Sequence, residues 1–75
     1  MSRIQDLISE LQSIIDSADN HFQLQSQTRA LAGDARDAVG VPDTPEKQAL
    51  MNAINSGEAS KAIGILQQMS AERAA

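Results

Sequence analysis

The stretch Gly40-Val41-Pro42-Asp43-Thr44-Pro45 interrupts the chain near its middle and decides how the rest can fold. A proline has no amide hydrogen and restricts the residue before it to an extended conformation, so Pro42 and Pro45 prevent a helix from running through. Gly40 stands where a left-handed residue commonly ends a helix. The sequence therefore predicts an N-terminal half over residues 2–39, a turn over residues 40–44 and a C-terminal helical hairpin over residues 45–73.

The C-terminal half opens with the residues that start helices. Thr44 can cap the helix, Pro45 fits the first helical position, and Glu46 places an acid in the first turn. Alternatively, Asp43 caps the helix and Glu46 closes a capping box, which moves the start by one residue. Because so short a connection favours antiparallel packing, we expect the C-terminal half to fold back over the N-terminal half, hinged at Gly40–Pro45.

The first helix gives the strongest periodic signal in the chain. Ser2 and Gln5 form a capping box. Apolar residues then recur at spacings of three and four, namely Ile4, Leu7, Ile8, Leu11, Ile14, Ile15 and Ala18. The opposite face carries Asp6, Glu10, Ser13 and Asp16. This pattern predicts an amphipathic helix with an acidic outer side.

Two interpretations compete after Ala18. Asn20 can cap a second helix with Gln23 as its capping-box partner, or the first helix continues and Phe22 keeps the apolar stripe. We favour a bend or short break near Asp19-Asn20 because the apolar phase changes there. The new stripe consists of Leu24, Thr28, Leu31, Ala35 and Ala38. It is rich in alanine and buries little area per residue.

The C-terminal half contains two further apolar stripes separated by a turn at Ser56-Gly57-Glu58. Ala49, Leu50, Ala53 and Ile54 form the first stripe, and the second consists of Ala59, Ala62, Ile63, Leu66 and Met69. No stretch of the chain is best explained as a strand. The sequence therefore predicts an all-α fold, a small antiparallel bundle of three to four helices, with residues 1–75 as one domain.

Composition restricts the kinds of partner. The chain has 75 residues, a net charge of −4, no cysteine and a single aromatic residue, Phe22. These features argue against disulfides, thiolate metal sites, base stacking, and contact with nucleic acid or anionic membranes. They are compatible with a partner that has a basic patch. With no apolar segment typical of a signal peptide or a membrane span, we expect a cytoplasmic protein or one exported without a classical signal.

The residues that commonly carry catalysis do not form a recognised pattern here. The only histidine, His21, lies near Asp16 and Asp19, but this spacing is not a metal-ligand motif, and a solvated helix end explains it better. The chain also lacks a nucleophile elbow and a phosphate-binding glycine loop. We therefore expect no enzyme activity, no cofactor and no metal.

Two arginines are the other candidates for a binding role. Arg29 and Arg36 are seven residues apart, so we expect them to share a helix face, about 10 Å apart along the axis. Such a pair could grip an anionic partner. We interpret it instead as a solvated face that Asp34 and Asp37 partly neutralise.

The first helix offers the best candidate for a binding surface. Its apolar stripe is wider than one short helix can cover, and a surplus apolar edge usually belongs to a protein interface. We expect Leu7, Leu11 and Ile14 to contact another protein, with Asp6, Glu10 and Asp16 around them. The sequence thus favours a small acidic adaptor or inhibitor. The alternative is a structural homo-oligomer in which the same stripe joins two copies as a four-helix-bundle dimer.

Overall fold

A computed structural model describes residues 3–40 and 44–74, with side chains as far as residue 72. Within those ranges the chain forms five helices and no strand: α1 (Arg3–Ser17), α2 (His21–Arg29), α3 (Ala32–Val39), α4 (Pro45–Asn55) and α5 (Ala59–Ala74). The predicted all-α fold is confirmed, with more helices than the three to four expected. The predicted roles of Ser2, Pro42 and Asp43 lie outside the described residues.

The break between α1 and α2 is capped as the sequence predicts. Asn20 is extended, with φ −156° and ψ 172°, and its side chain accepts a hydrogen bond from the Gln23 amide at 2.8 Å. In return, Gln23 Oε1 accepts from the amide of Asp19 at 2.8 Å. These two bonds satisfy amides that a helix start leaves without partners.

A second break, between α2 and α3, was not predicted. The amide of Leu31 donates to the carbonyl of Thr28 at 3.1 Å, which tightens the end of α2, and the chain then restarts as α3. The break needs neither a proline nor a positive φ. It puts Arg29 on α2 and Arg36 on α3, so the interpretation that they share one helix face is wrong.

The ends of α3 and α4 are tied together on either side of the predicted turn. Gly40 has a φ of 64°, and its amide donates to the carbonyl of Arg36 at 3.1 Å. Thr44 caps α4 by accepting from the Lys47 amide at 3.1 Å, and Pro45 opens the helix. The buried Lys47 side chain extends back, and its Nζ donates to the carbonyl oxygen of Gly40 at 2.5 Å. A positive charge therefore lies at the negative end of the α3 dipole.

The five helices enclose one core in a molecule of 36 × 21 × 17 Å. Helix α1 packs against both α5 and α3, and α4 also packs against both. Gln5 near the start of α1 bonds Ser70 near the end of α5 at 2.9 Å, so these helices are antiparallel. The largest fully buried side chains come from α1, α2, α4 and α5, and they are Leu11, Thr28, Leu50, Ile54 and Leu66.

The helices are short. The longest, α5, has 16 residues, whereas a helix needs about 20 apolar residues to cross a bilayer. In the described ranges no helix combines the length and the apolar character that spanning requires.

Candidate protein-binding surface

Two of the residues predicted to contact a partner are enclosed within the chain itself. Leu7 is 3% exposed and Leu11 is fully buried, and both belong to the hydrophobic core. The prediction that they lie at an exposed edge is wrong because two helices, α3 and α5, cover the stripe of α1 where we expected one. The width of the stripe is explained by its packing against both of these helices.

The other four predicted residues reach the surface, but on different sides of α1. Ile14 is half-buried, and Asp6, Glu10 and Asp16 are exposed. Asp6 and Glu10 line a groove between α1 and α3. Asp16 lies on the outer face of α1 beside Ser9 and Gln12. The three acids therefore do not form one rim around a shared apolar patch.

The groove between α1 and α3 concentrates negative charge. It has a volume of about 340 Å³, and its lining includes four carboxylates, one guanidinium and two apolar residues: Asp6, Glu10, Asp34, Asp37, Arg3, Leu7 and Ala38. Four negative charges less one positive give −3 at this groove, against −4 for the whole chain. The sequence interpretation paired Asp34 and Asp37 with the arginines, but helix packing brings them to α1.

Phe22 is the apolar residue that the sequence interpretation missed. It is the only aromatic residue of the chain, and it is 81% exposed near the start of α2. Each helical residue turns the chain by about 100°, so Phe22 lies nearly opposite Leu24, which packs against the core. The exposure of Phe22 could have been predicted from the sequence. If the apolar stripe of α2 begins at Leu24, Phe22 lies on the opposite face and its ring points to solvent.

The imidazole of His21 is hydrogen-bonded within its own helix. His21 Nε2 and the side-chain amide nitrogen of Gln25, one turn along α2, are 3.1 Å apart in a hydrogen bond. Asp16 and Asp19 are exposed. Across the residues that the structure describes, no three His, Cys, Asp or Glu side chains converge closely enough to hold a metal ion.

The carboxyl group of Glu46 has an altered proton affinity. Glu46 in the first turn of α4 meets Glu72 near the end of α5. A hydrogen bond between the two carboxyl groups, which needs a shared proton, raises the pKa of Glu46, and burial and the charge of Glu72 act in the same direction. Oε2 of Glu46 is shielded from water, and no donor among the described residues reaches it.

Comparisons of this chain with protein-family models, with curated proteins and with solved structures find no match. The function must therefore be argued from the surface itself. Two of its features bear on protein binding, an exposed aromatic ring on α2 and an acidic groove between α1 and α3.

Proposed function

We propose that this chain is a small acidic protein-binding module, an adaptor or an inhibitor, that acts without catalysis and binds through Phe22 and its surroundings. The observation that carries the proposal is the 81% exposure of the only aromatic ring. Burying a phenyl ring contributes roughly 1.5–3 kcal/mol, which this small fold leaves unused. Aromatic residues are also enriched among the side chains that anchor protein interfaces.

Ile14 lies close enough to Phe22 to share a partner with it. The amide of Ala18 bonds the carbonyl of Ile14 at 2.9 Å, so these residues are one helical turn apart. From Ala18 to Phe22 the chain takes four steps of about 3.8 Å, which bounds the separation of their Cα atoms at about 15 Å. The Cα atoms of Ile14 and Phe22 are therefore at most about 21 Å apart, a distance that a protein interface of ordinary size can span.

The acidic groove supports a partner with a basic patch. Asp6 and Glu10 of α1 and Asp34 and Asp37 of α3 give the groove its negative charge. Charge of one sign in a groove attracts an oppositely charged partner and speeds the encounter. Lys and Arg side chains of that partner fit this role. We also propose that the protein is cytoplasmic, as expected from the sequence.

The alternative function, a structural homo-oligomer, has less support. A four-helix dimer joined along the α1 stripe would use Leu7 and Leu11, which this fold already uses in its own core. Two copies could still meet through Phe22. Light scattering over a range of protein concentrations distinguishes this arrangement from a module that binds a different protein.

A binding experiment with matched variants tests the proposal. The immobilised chain is used to recover partners from an extract of the source cells, and the retained proteins are quantified for wild type, Phe22→Ser and Ser60→Ala. Ser60 is exposed on α5 and serves as the control. We expect Phe22→Ser to lower retention of the partner by at least tenfold, as the loss of an aromatic anchor does, and Ser60→Ala to leave it unchanged.

Circular dichroism must accompany these measurements, because only folded variants are informative. Since Phe22 is exposed, we expect Phe22→Ser to change the free energy of unfolding by no more than about 0.5 kcal/mol. A partner retained equally by wild type and Phe22→Ser would place the interface elsewhere on the molecule.

A further inference from the structure

A second groove, between α3 and α4, differs in character from the acidic one. It has a volume of about 440 Å³, and its lining residues are Arg36, Lys47, Gln48, Met51, Asn52 and Asn55. No acid is among these described lining residues, although the chain as a whole has a net charge of −4. Helix α3 therefore separates an acidic groove from a basic, amide-lined one.

Three carboxamides run along one side of α4. Gln48, Asn52 and Asn55 follow each other at intervals of four and three residues and are all exposed. At 1.5 Å per residue this row is about 10 Å long. An extended peptide advances about 3.3 Å per residue, so the row matches about three residues of peptide main chain. A carboxamide can donate to a peptide carbonyl and accept from a peptide amide.

Two members of this row are hydrogen-bonded to each other. The side-chain nitrogen of Gln48 donates to Oδ1 of Asn52 at 3.4 Å, a long hydrogen bond. With its oxygen engaged in this way, Asn52 keeps its two N–H donors for a ligand. Met51 lies between them in sequence, is half-buried and packs against the core, so it gives the groove an apolar floor.

Two cationic side chains, Arg36 and Lys47, line this groove. Arg36 is exposed on α3, and no ion pair or hydrogen bond of its guanidinium occurs among the described residues. The Lys47 ammonium also lines the groove and is held in place by its bond to the Gly40 carbonyl. A guanidinium beside a fixed ammonium favours a carboxylate, which it can bind with two parallel hydrogen bonds.

We propose that the groove between α3 and α4 binds an extended acidic peptide segment of another protein, with Arg36 holding a side-chain carboxylate and Gln48, Asn52 and Asn55 bonding the peptide main chain. The sign of the charge, the row of amides and the apolar floor all fit this one ligand class. The groove lies across α3 from the acidic one. The chain thus has two binding surfaces of opposite charge.

Nuclear magnetic resonance with a defined probe tests this site. The probe is hexaglutamate, acetylated and amidated at its ends, added to the ¹⁵N-labelled full chain at low salt. We expect its addition to shift the backbone amide of Arg36 and the side-chain amide resonances of Gln48, Asn52 and Asn55. Hexaglutamine, which has the same main chain without charge, should bind at least tenfold more weakly.

Two matched arginine variants complete the experiment. Both Arg29 and Arg36 are exposed, on α2 and α3 respectively, so neither substitution should disturb the fold. We expect Arg36→Gln to weaken hexaglutamate binding about tenfold, as the loss of a charge-assisted hydrogen bond does, and Arg29→Gln to change it less than twofold.

Four results would overturn the proposal. The first is the absence of shifts at about 1 mM hexaglutamate, where a useful peptide site should be occupied. The second is equal weakening by Arg29→Gln and Arg36→Gln, which would indicate general charge attraction. The third is tighter binding of hexathymidylate, which would make phosphate the ligand. The fourth is shifts at these residues that follow protein concentration without peptide, which would make a second copy the occupant.

Discussion

Gly57 faces Gln25 so closely that no side chain fits between them. A Cβ atom on Gly57 would lie 2.7 Å from the Cβ of Gln25 and 2.8 Å from its Cα. Gly57 also has a φ of 77°, which favours glycine. The turn between α4 and α5 is therefore pressed directly against the backbone of α2. This contact fixes α2, the helix that presents Phe22.

Gly57→Ala should be strongly destabilising. The new methyl group would both strain a positive φ and overlap Gln25, and such effects together cost roughly 2–4 kcal/mol. Because the overlap is with the backbone and the first side-chain carbon, Gln25 cannot move aside by rotating its side chain. Urea denaturation followed by circular dichroism gives the free energy of unfolding.

Gly64 provides a matched control for this change. It lies within α5, is exposed, and has open space where its Cβ would be. We expect Gly64→Ala to stabilise the chain by up to about 1 kcal/mol through helix propensity. Equal effects of the two substitutions would mean that Gly57 and Gln25 are not in contact.

Lys47→Met should lower stability by about 1–3 kcal/mol. The substitution keeps an apolar stem of similar length but removes the ammonium that bonds the Gly40 carbonyl, and that oxygen would lose a charge-assisted hydrogen bond. Thermal unfolding at neutral pH measures the loss. Lys61→Met, at an exposed position on α5, is the control and should stay within about 0.5 kcal/mol of wild type. A similar effect at both positions would assign the loss to net charge alone.

The sequence predicted those helix breaks that are marked by a capping residue or a proline. Asn20 was identified because its side chain can cap, and Thr44-Pro45 because a cap precedes a proline; both start helices in the structure. The break at Ala30-Leu31 has no such chemistry. Its residues have ordinary negative φ values, and no side chain caps the start of α3.

The candidate binding surface could be predicted only in part. That α1 has an acidic outer face follows from its period, and Asp6 and Glu10 are indeed exposed. Whether Leu7 is covered depends on how many helices pack on α1. The spacing of apolar residues in the sequence does not reveal that number. The approach of Asp34 and Asp37 to α1 depends in the same way on the angle between α1 and α3.

The Glu46–Glu72 pair should make stability depend on pH. The folded chain raises the pKa of Glu46 above its ordinary value of 4.5, so folding favours the protonated form. The favourable contribution is present below pH 4.5 and is lost as the pH rises through the folded-state pKa. At pH 7 the two carboxylates repel each other, so Glu72→Gln should raise the melting temperature there.

A double-mutant cycle isolates this pair from the effect of charge on the helix ends. Glu46→Gln, Glu72→Gln and the double variant are compared at neutral pH and at about pH 3, which lies below the ordinary pKa of Glu46. We expect the two stabilising effects at neutral pH to be non-additive, because either substitution removes the repulsion. In acid we expect the coupling to become favourable, because the protonated pair keeps its hydrogen bond. Additive effects at both pH values would show that the carboxyl groups do not interact.

Leu7→Asp and Ile14→Asp should have opposite consequences although both lie on the apolar stripe of α1. Leu7 is 3% exposed, so an aspartate there would bury a charge without a partner and should unfold the chain. Ile14 is half-buried, and Ile14→Asp should preserve the helical circular dichroism signal while weakening partner retention, because a charge would replace an apolar side chain of the proposed interface. Far-ultraviolet circular dichroism and the retention assay are measured on the same samples. If Leu7→Asp stayed folded and lost the partner, the interface would lie over α1 as the sequence suggested, and α3 and α5 would have to open to expose it.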